Sequence, residues 1–452
     1  MLDFDAVTYK KILEVAIKYN VIANCREYPS LFLNRQQADF KRVRSSLEEK
    51  FDNPNFSCGL YVHFPFCRSR CTFCKYYSEL FNNESIFDKY LESLKKEIEL
   101  YQVDFSKVKL ANLFLGGGTP TLLSGQCMEK YLDVIHKFFK FKKNAQVTIE
   151  GTPESLDEQK LKIYKNLGIN RISIGLQSAN DHVLKRIGRV HTIRDVFRAF
   201  AAVRKAGIKY IGTEVIWGLP GESSKTYKNT VKRLIQLSPD FIEGYLLTTG
   251  GRVRIERFYP PGLNLDDIIK LFKEVLLANG YRIYYCSNFL GFIKKGVNRS
   301  KAMNQNTDSL YNYYANVLGI GAGASSHFVD LKYKIVSDVK SYMKCLENLK
   351  FPPLYGIDIN EDDYKRHYII LQIGFFRSIR KKRYQELFGN DLAEDFPEEV
   401  FYLKNKKIII ETPDYYKWRL GEHEMGHKSF FMHAIQYWYN PKYIKQIIEK
   451  YL

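Results

Sequence analysis

The sequence contains no uninterrupted apolar run of the roughly 18 residues that a membrane-spanning helix requires, although 45% of its 452 residues are apolar. At its start Met1-Leu2-Asp3-Phe4-Asp5 carries acid where a signal peptide carries base, so no secretory leader is expected. A cytoplasmic location with no membrane span is expected. Cysteine is scarce, with 8 residues, too few for a disulfide scaffold in a chain of this size. Cys25, Cys58, Cys127, Cys286 and Cys345 are scattered, whereas Cys67, Cys71 and Cys74 crowd together. In a reducing compartment scattered cysteines are usually core residues, and clustered ones are metal ligands or catalytic groups. Acidic residues are also short, 50 against 69 basic ones, leaving a net charge of +19. Most of the bases are lysines spread along helical segments, the pattern of a solvated surface. Two clusters stand apart, Arg377 to Arg383 and the trio Arg252, Arg254 and Arg257. No nucleic-acid module accompanies the charge, so no nucleic-acid partner is expected.

What is present is a regular alternation. A chain this long exceeds one average domain, so two or three units are expected. Residues 1–55 read as a helical N-terminal extension, with Ile12, Leu13, Ala16 and Ile17 on one face. Residues 56–335 read as a core in which six strand-like segments alternate with helical ones. The strands are Leu60–Phe64, Leu110–Leu115, Gln146–Glu150, Arg171–Leu176, Thr213–Trp217 and Phe241–Leu247. They are short, apolar and rich in β-branched or aromatic residues, as buried parallel strands are. Helical stripes such as Phe87, Tyr90, Leu91, Leu94, Ile98 and Tyr101, or Val196, Phe200, Val203 and Ala206, fill the intervals. Gly168 and Gly207 stand where helices should stop. Six βα units in a row predict an α/β fold, a (β/α)6 partial barrel of the TIM type, with ligands at the carboxyl ends of its strands. A strand at Tyr281–Cys286 and a glycine-rich turn at Gly319–Gly323 close it. Residues 336–452 change to helical segments (Tyr364–Phe375, Lys382–Phe388), a strand or hairpin at Asn405–Glu411 and a closing helix. That order reads as a C-terminal helical, winged-helix-like cap.

The clustered cysteines follow the first strand with a C-x3-C-x2-C spacing, Cys67-Arg68-Ser69-Arg70-Cys71-Thr72-Phe73-Cys74. Three thiolates on one tight loop can each take one iron of a [4Fe–4S] cubane, which leaves the fourth iron open to a chelating ligand. A zinc knuckle is the competing reading. A closed zinc site wants four ligands, and the nearest further thiol, Cys58, lies on the far side of the strand.

Further motifs follow in a fixed order: LYVHFPFCRSRCTFC (60–74), LFLGGGTPT (113–121), VTIEG (147–151), NRISIGLQS (170–178), GRVHT (188–192), EVIWGLPGES (214–223) and LGIGAGA (318–324). Over roughly residues 56–330 this set resembles the radical S-adenosylmethionine (SAM) group that contains oxygen-independent coproporphyrinogen III dehydrogenases, the related heme chaperones (HemN/HemW-like) and anaerobic heme-degrading enzymes. The resemblance implies a [4Fe–4S] cluster on Cys67, Cys71 and Cys74, with SAM chelating the open iron. It also implies a flavodoxin- or ferredoxin-type electron donor, cleavage of SAM to a 5′-deoxyadenosyl radical, and hydrogen abstraction from a substrate. SAM contacts are implied at Tyr61 and Phe73, and at Gly116, Gly117, Gly118 and Thr119, whose backbone would approach the methionine end. Glu150, Gln177 and Arg189 suit the carboxylate and ribose of SAM. Glu214, where the group usually has Asp, is carried over with them.

The chain departs from the group in places. Coproporphyrinogen dehydrogenases have another cysteine soon after the third ligand, and here Lys75-Tyr76-Tyr77 follows Cys74. They also carry a histidine-containing segment where residues 310–314 read Leu-Tyr-Asn-Tyr-Tyr. Both differences argue against that decarboxylation. Arg252, Arg254 and Arg257 read either as a solvated loop or as a site for substrate carboxylates such as tetrapyrrole propionates. His423-Glu424-Met425-Gly426-His427 matches the helical zinc-protease signature, although charged flanks and two glycines weaken that helix. Ligation of heme or another metal by His423, His427 or His433 is the alternative there. Three functions stay open: radical chemistry on a tetrapyrrole, heme chaperoning without turnover, and radical C-methylation or carbon-skeleton modification of a small metabolite. Methylation would use a second SAM molecule.

Overall fold

The structure, a computed structural model, describes residues 37–247, 253–255, 264–286, 289–299, 316–376, 378–419 and 438. The helical face at Ile12 to Ile17, Cys25, Arg252, Arg257, residues 310–314, His423, Glu424, His427, His433 and the closing helix lie outside the described residues. Two compact units are present. One comprises Gln36–Ile283 and Gly291–Ile357, and the other includes Asp358–Leu452.

The first unit is the expected alternation. Its elements run α1 Phe40–Asp52, β1 Cys58–Phe64, α2 Glu84–Tyr101, β2 Lys109–Gly117, α3 Gly125–Phe138, β3 Lys140–Gly151, α4 Glu158–Asn166, β4 Arg171–Gln177, α5 Asp181–Arg186, α6 Ile193–Ala206, β5 Tyr210–Trp217, α7 Ser224–Leu237, β6 Phe241–Leu246 and α8 Leu265–Ala278. Strands β1 to β6 neighbour one another in chain order, and each pair is parallel. This is a (β/α)6 partial barrel. Strands at Tyr281–Cys286 and Phe289–Lys294 follow. On the other flank of β1 lies parallel β7 (Asn316–Ile320), then β8 (Ser325–His327), β9 (Leu331–Ile335) and β10 (Leu354–Asp358), with α9 (Val339–Glu347) between the last two in the chain. The first two residues of the glycine-rich turn expected at Gly319–Gly323 are therefore the end of a strand, because Leu318 and Ile320 bury beside β1.

The helices form where apolar spacing and caps agree. Phe87, Tyr90, Leu91, Leu94, Ile98 and Tyr101 are all buried along α2. A capping box of Thr192 and Asp195 starts α6, and Gly207 ends it at φ +76°. Strand β3 begins at Lys140, six residues before the expected Gln146, because Lys140 and Phe141 pair with Lys109 and Leu110 of β2. Those residues are satisfied by backbone hydrogen bonds with side chains largely in solvent, which apolar patterning does not register.

In the second unit α10 (Glu361–Phe376), β11 (Ser378–Arg380), α11 (Lys381–Phe388), α12 (Leu392–Asp395) and α13 (Pro397–Asn405) precede a hairpin of β12 (Ile409–Glu411) and β13 (Tyr415–Trp418). The sheet order β11-β13-β12 gives a winged-helix-like arrangement. Bases of the 377–383 cluster are tied locally: Arg380 donates to the Tyr415 hydroxyl, Lys381 and Lys404 both grip Glu411, and Arg383 pairs with Glu386. No described helix is long and apolar enough to cross a membrane.

Candidate active site

Successive residues of a strand face opposite sides of its sheet, and the register across β1 to β6 shows which side chains share a face. Outward-facing Leu60, Val62, Leu113, Leu115, Ile149, Ile172, Ile174, Val215 and Ile242 are buried. The inward rows are different. Tyr61, Phe114, Thr148 and Arg171 lie in register, as do His63 with Gly116, Glu150 with Ser173, and Glu214 with Glu243. Polar groups therefore line the inside of the barrel near the carboxyl ends of its strands.

The cysteine loop leaves the end of β1. Phe66 and Cys67 pair in parallel with Glu79 and Leu80, which pins the start of the loop. Its middle is held from across the barrel: Thr72 N–H donates to the Ile187 carbonyl at 3.0 Å, and Ser69 Oγ to the Gly188 carbonyl at 3.3 Å. Donors reach all three sulfurs: Thr119 Oγ1 lies 3.6 Å from Cys67 Sγ, Arg189 Nη1 lies 3.6 Å from Cys71 Sγ, and the Tyr76 backbone N–H hydrogen-bonds Cys74. All three thiols are partly exposed, whereas Cys58 and Cys127 are buried. Burial pushes the Cys67 thiol up and that of Cys74 up to about 11. Among the described residues no three His, Cys, Asp or Glu side chains gather around one ion's position. Thiolates of a cubane bind separate irons, so a cluster does not require that. The donor set, three partly exposed cysteines with hydrogen-bond donors at their sulfurs, fits a [4Fe–4S] group.

The glycines of the second motif have a packing reason. A Cβ on Gly118 would fall 2.3 Å from the Phe66 carbonyl oxygen, and one on Gly116 would fall 2.9 Å from Glu150 Oε2. Gly117 has φ +110°, with His63 where its Cβ would be. Gly118 N–H and Thr119 N–H donate to the carbonyls of Phe64 and Phe66, at 2.7 and 2.8 Å, so this turn is clamped to the root of the cysteine loop.

Glu150, Gln177, Arg189 and Glu214 come together. Gly117 N–H donates to Glu150 Oε2 at 3.0 Å, and Ser173 Oγ to Glu214 Oε1 at 3.0 Å. Arg189 Nη2 donates to the Gly175 carbonyl at 2.6 Å. Gly175 is the floor beneath them, since its Cβ would lie 2.8 Å from Gln177 Nε2 and 2.9 Å from Arg189 Nη2. Gln177 itself adopts φ +66°, a left-handed conformation that costs a non-glycine residue about 1 kcal/mol. Its Oε1 and Arg189 Nε are buried without a hydrogen-bond partner among the described residues. Burial raises the proton affinity of Glu150 and Glu214, and carboxylate neighbours raise it further. A strained amide, unpaired polar atoms and crowded acids suit a polar, partly cationic ligand.

Tyr61 hydrogen-bonds His63 Nδ1 at 2.7 Å, and burial lowers the imidazole to about 3, so His63 is neutral. Phe73 packs with Ile255 on a buried cluster of Val183, Leu184, Ile187, Ile216, Leu219 and Leu247. Arg254 N–H donates to the Thr72 carbonyl at 2.9 Å, which brings the arginine segment to the cysteine loop. Sequence reasoning did not single out His63, Arg171, Ser173, Gly175, Glu243 or Tyr245. Polar residues at alternate positions in otherwise apolar strands were the available signal.

Residues 61–234 match the family model of the radical SAM superfamily, whose members bind a [4Fe–4S] cluster and SAM. Residues 61–234 thus resemble a radical SAM domain. It is 28% identical over 363 residues to the heme chaperone HemW of Bacillus subtilis, covering 77% of this chain and 92% of that one. Identity to coproporphyrinogen III oxidase, anaerobic 1, of Cereibacter sphaeroides is 26% over 322 residues, 69% of this chain and 71% of the other. The coproporphyrinogen III oxidase HemN of Escherichia coli shares the fold, with TM-score 0.75, 20% identity and full coverage of both chains. The chain is therefore similar to HemN/HemW-like radical SAM proteins.

Proposed function

We propose that this protein is a cytoplasmic radical SAM enzyme acting on a tetrapyrrole related to heme or porphyrin. The observation that carries the reading is the loop of Cys67, Cys71 and Cys74 at the end of β1, facing the polar inner ends of β2 to β6. These thiols would hold a [4Fe–4S] cluster. When bound, that cluster supplies the electron that cleaves SAM to a 5′-deoxyadenosyl radical. Tyr61, Phe73, Gly116, Gly117, Gly118, Thr119, Glu150, Gln177, Arg189 and Glu214 would bind and orient SAM. The Thr119 and Arg189 donors stabilise negative charge on sulfur. A flavodoxin- or ferredoxin-type protein would deliver the electron. Arg254, beside the loop and exposed, is placed to take a substrate carboxylate. The division into an extension (1–55), a core (56–335) and a cap (336–452) belongs to the same proposal.

A heme chaperone is the second reading, favoured by the near full-length match to proteins named for that role. Anaerobic reconstitution with SAM and dithionite in the presence of heme or a porphyrin tests both. Release of 5′-deoxyadenosine with consumption of the tetrapyrrole supports the enzyme, and heme binding without consumption supports the chaperone. S-adenosylhomocysteine formed alongside 5′-deoxyadenosine would redirect the assignment to methyl transfer.

A further inference from the structure

The inner wall carries a third carboxylate that the motifs do not account for. Glu243 lies on β6 opposite Glu214 of β5, so the two share the inner face. Its Oε2 accepts a hydrogen bond from the Tyr245 hydroxyl at 2.6 Å, and its Oε1 lies 3.8 Å from Arg171 Nη2. The Arg171 guanidinium is in turn 3.8 Å from the centre of the Phe241 ring. Gly212 leaves room for that ring, which a Cβ would approach to 1.8 Å. Arginine and glutamate differ in access, with side-chain exposures of 1% and 13%. The arginine is sealed beneath, while the glutamate keeps surface toward the lumen.

The charge balance around it is lopsided. Glu150 of β3, Glu214 of β5 and Glu243 of β6 face Arg171 of β4 and Arg189 from the segment between α5 and α6. Tyr61, which feels the charge of Glu150, and Tyr245 are further titratable neighbours. Arg189 is already engaged with the Gly175 carbonyl and the Cys71 sulfur. After burial, the charge of Glu243 is the largest cause that raises the proton affinity of Glu214. A positively charged ligand would relieve this crowding, and a neutral one of the same shape would not.

We propose that Glu243 is a positioning residue that makes the SAM pocket select a cationic ligand, its negative charge beside Glu214 favouring the sulfonium over the neutral thioether. This rests on the assignment of Glu150 and Glu214 to SAM. SAM and S-adenosylhomocysteine share every recognition group except the sulfonium methyl and its charge, so the ratio of their dissociation constants isolates the electrostatic effect.

Equilibrium dialysis of both nucleosides against the anaerobically reconstituted protein measures that ratio. Glu243→Gln, nearly isosteric, should shrink the preference for SAM by on the order of tenfold, the effect of one partly desolvated charge. Glu243→Asp should restore most of it. In the unmodified protein the preference should grow with pH as Glu150 and Glu214, whose proton affinity burial raises, ionise beside Glu243, a measurement that stands even if Glu243→Gln does not fold. An unchanged ratio in Glu243→Gln, or a flat pH profile, overturns the role of Glu243 and leaves the SAM assignment intact. Failure of the unmodified protein to bind either nucleoside would instead remove the SAM assignment, and this inference with it.

Discussion

The two faces of β1 to β6 obey opposite rules. The outer face is close to uniformly aliphatic, with Leu60, Val62, Leu113, Leu115, Ile149, Ile172 and Ile174 buried. The inner face carries Tyr61, His63, Glu150, Arg171, Ser173, Glu214, Glu243 and Tyr245 on the same strands. A parallel sheet covered on both sides folds well with aliphatic residues on both, and buried carboxyls with raised proton affinity oppose folding. The contrast separates what holds the barrel together from what it does. Departures from the apolar rule collect where a ligand is expected.

The largest break in the comparison should come from the sulfurs. Cys71→Ala should leave almost no stably bound iron after anaerobic reconstitution, read as iron and sulfide content, while urea unfolding of the metal-free protein stays within about 1 kcal/mol. Iron retained at the unmodified level would end the cluster assignment. On the outer face Ile174→Ala should do the reverse. It is fully buried, so the lost contacts and cavity should cost about 3 kcal/mol in urea unfolding, with iron content and nucleoside affinity unchanged. An outer-face change that altered the SAM to S-adenosylhomocysteine ratio would show that the faces are not separable.

Most of the outer face was legible in the sequence. Apolar runs marked all six strands, and the stripe from Phe87 to Tyr101 marked the buried side of α2. Glycines marked helix ends because φ > 0 leaves few alternatives. The inner face was legible only through motifs. Cys67, Cys71 and Cys74 announce themselves by spacing, and Glu150, Gln177 and Arg189 by the company they keep. Glu243 went unnoticed because one acid at an alternate position in Phe-Ile-Glu-Gly-Tyr is a weak signal that names no partner. Its partner Glu214 lies 29 residues earlier, and only strand register joins them. The packing demand on Gly175 was invisible too, since the side chains above it come from its own strand end and from Arg189 beyond α5.

One acid outside the inner wall tests the rule from the helical layer. Glu97 of α2 is fully buried, and its Oε2 accepts from the Tyr342 hydroxyl at 2.6 Å and from Gly321 N–H at 2.8 Å. Burial pushes its carboxyl up to about 7, above the value of roughly 4.3 in an unfolded chain. The folded state therefore favours the protonated form. That contribution is complete below about pH 4, declines as pH rises, and is lost above the folded value near 7. Glu97→Gln should flatten this part of the stability profile by about 3 kcal/mol between pH 4.5 and 8. Parallel urea titrations of both proteins across that range check it, and equal slopes would mean that Glu97 stays ionised.

The smallest expected effect sharpens the contrast between kinds of cysteine. Cys58 begins β1 at the end remote from the loop, 1% exposed, with its thiol directed to the Gly59 carbonyl oxygen at 3.2 Å. Burial pushes that thiol up to about 12, so at neutral pH it is protonated, and the thiolate is the form that binds metal. Cys58→Ala should then cost about 1 kcal/mol, the loss of one small buried group, and leave iron and sulfide content where they were. A loss of iron comparable to that in Cys71→Ala would make Cys58 a fourth ligand. The open iron on which SAM docking depends would then be closed, and a four-thiol site of the zinc-knuckle kind would replace it.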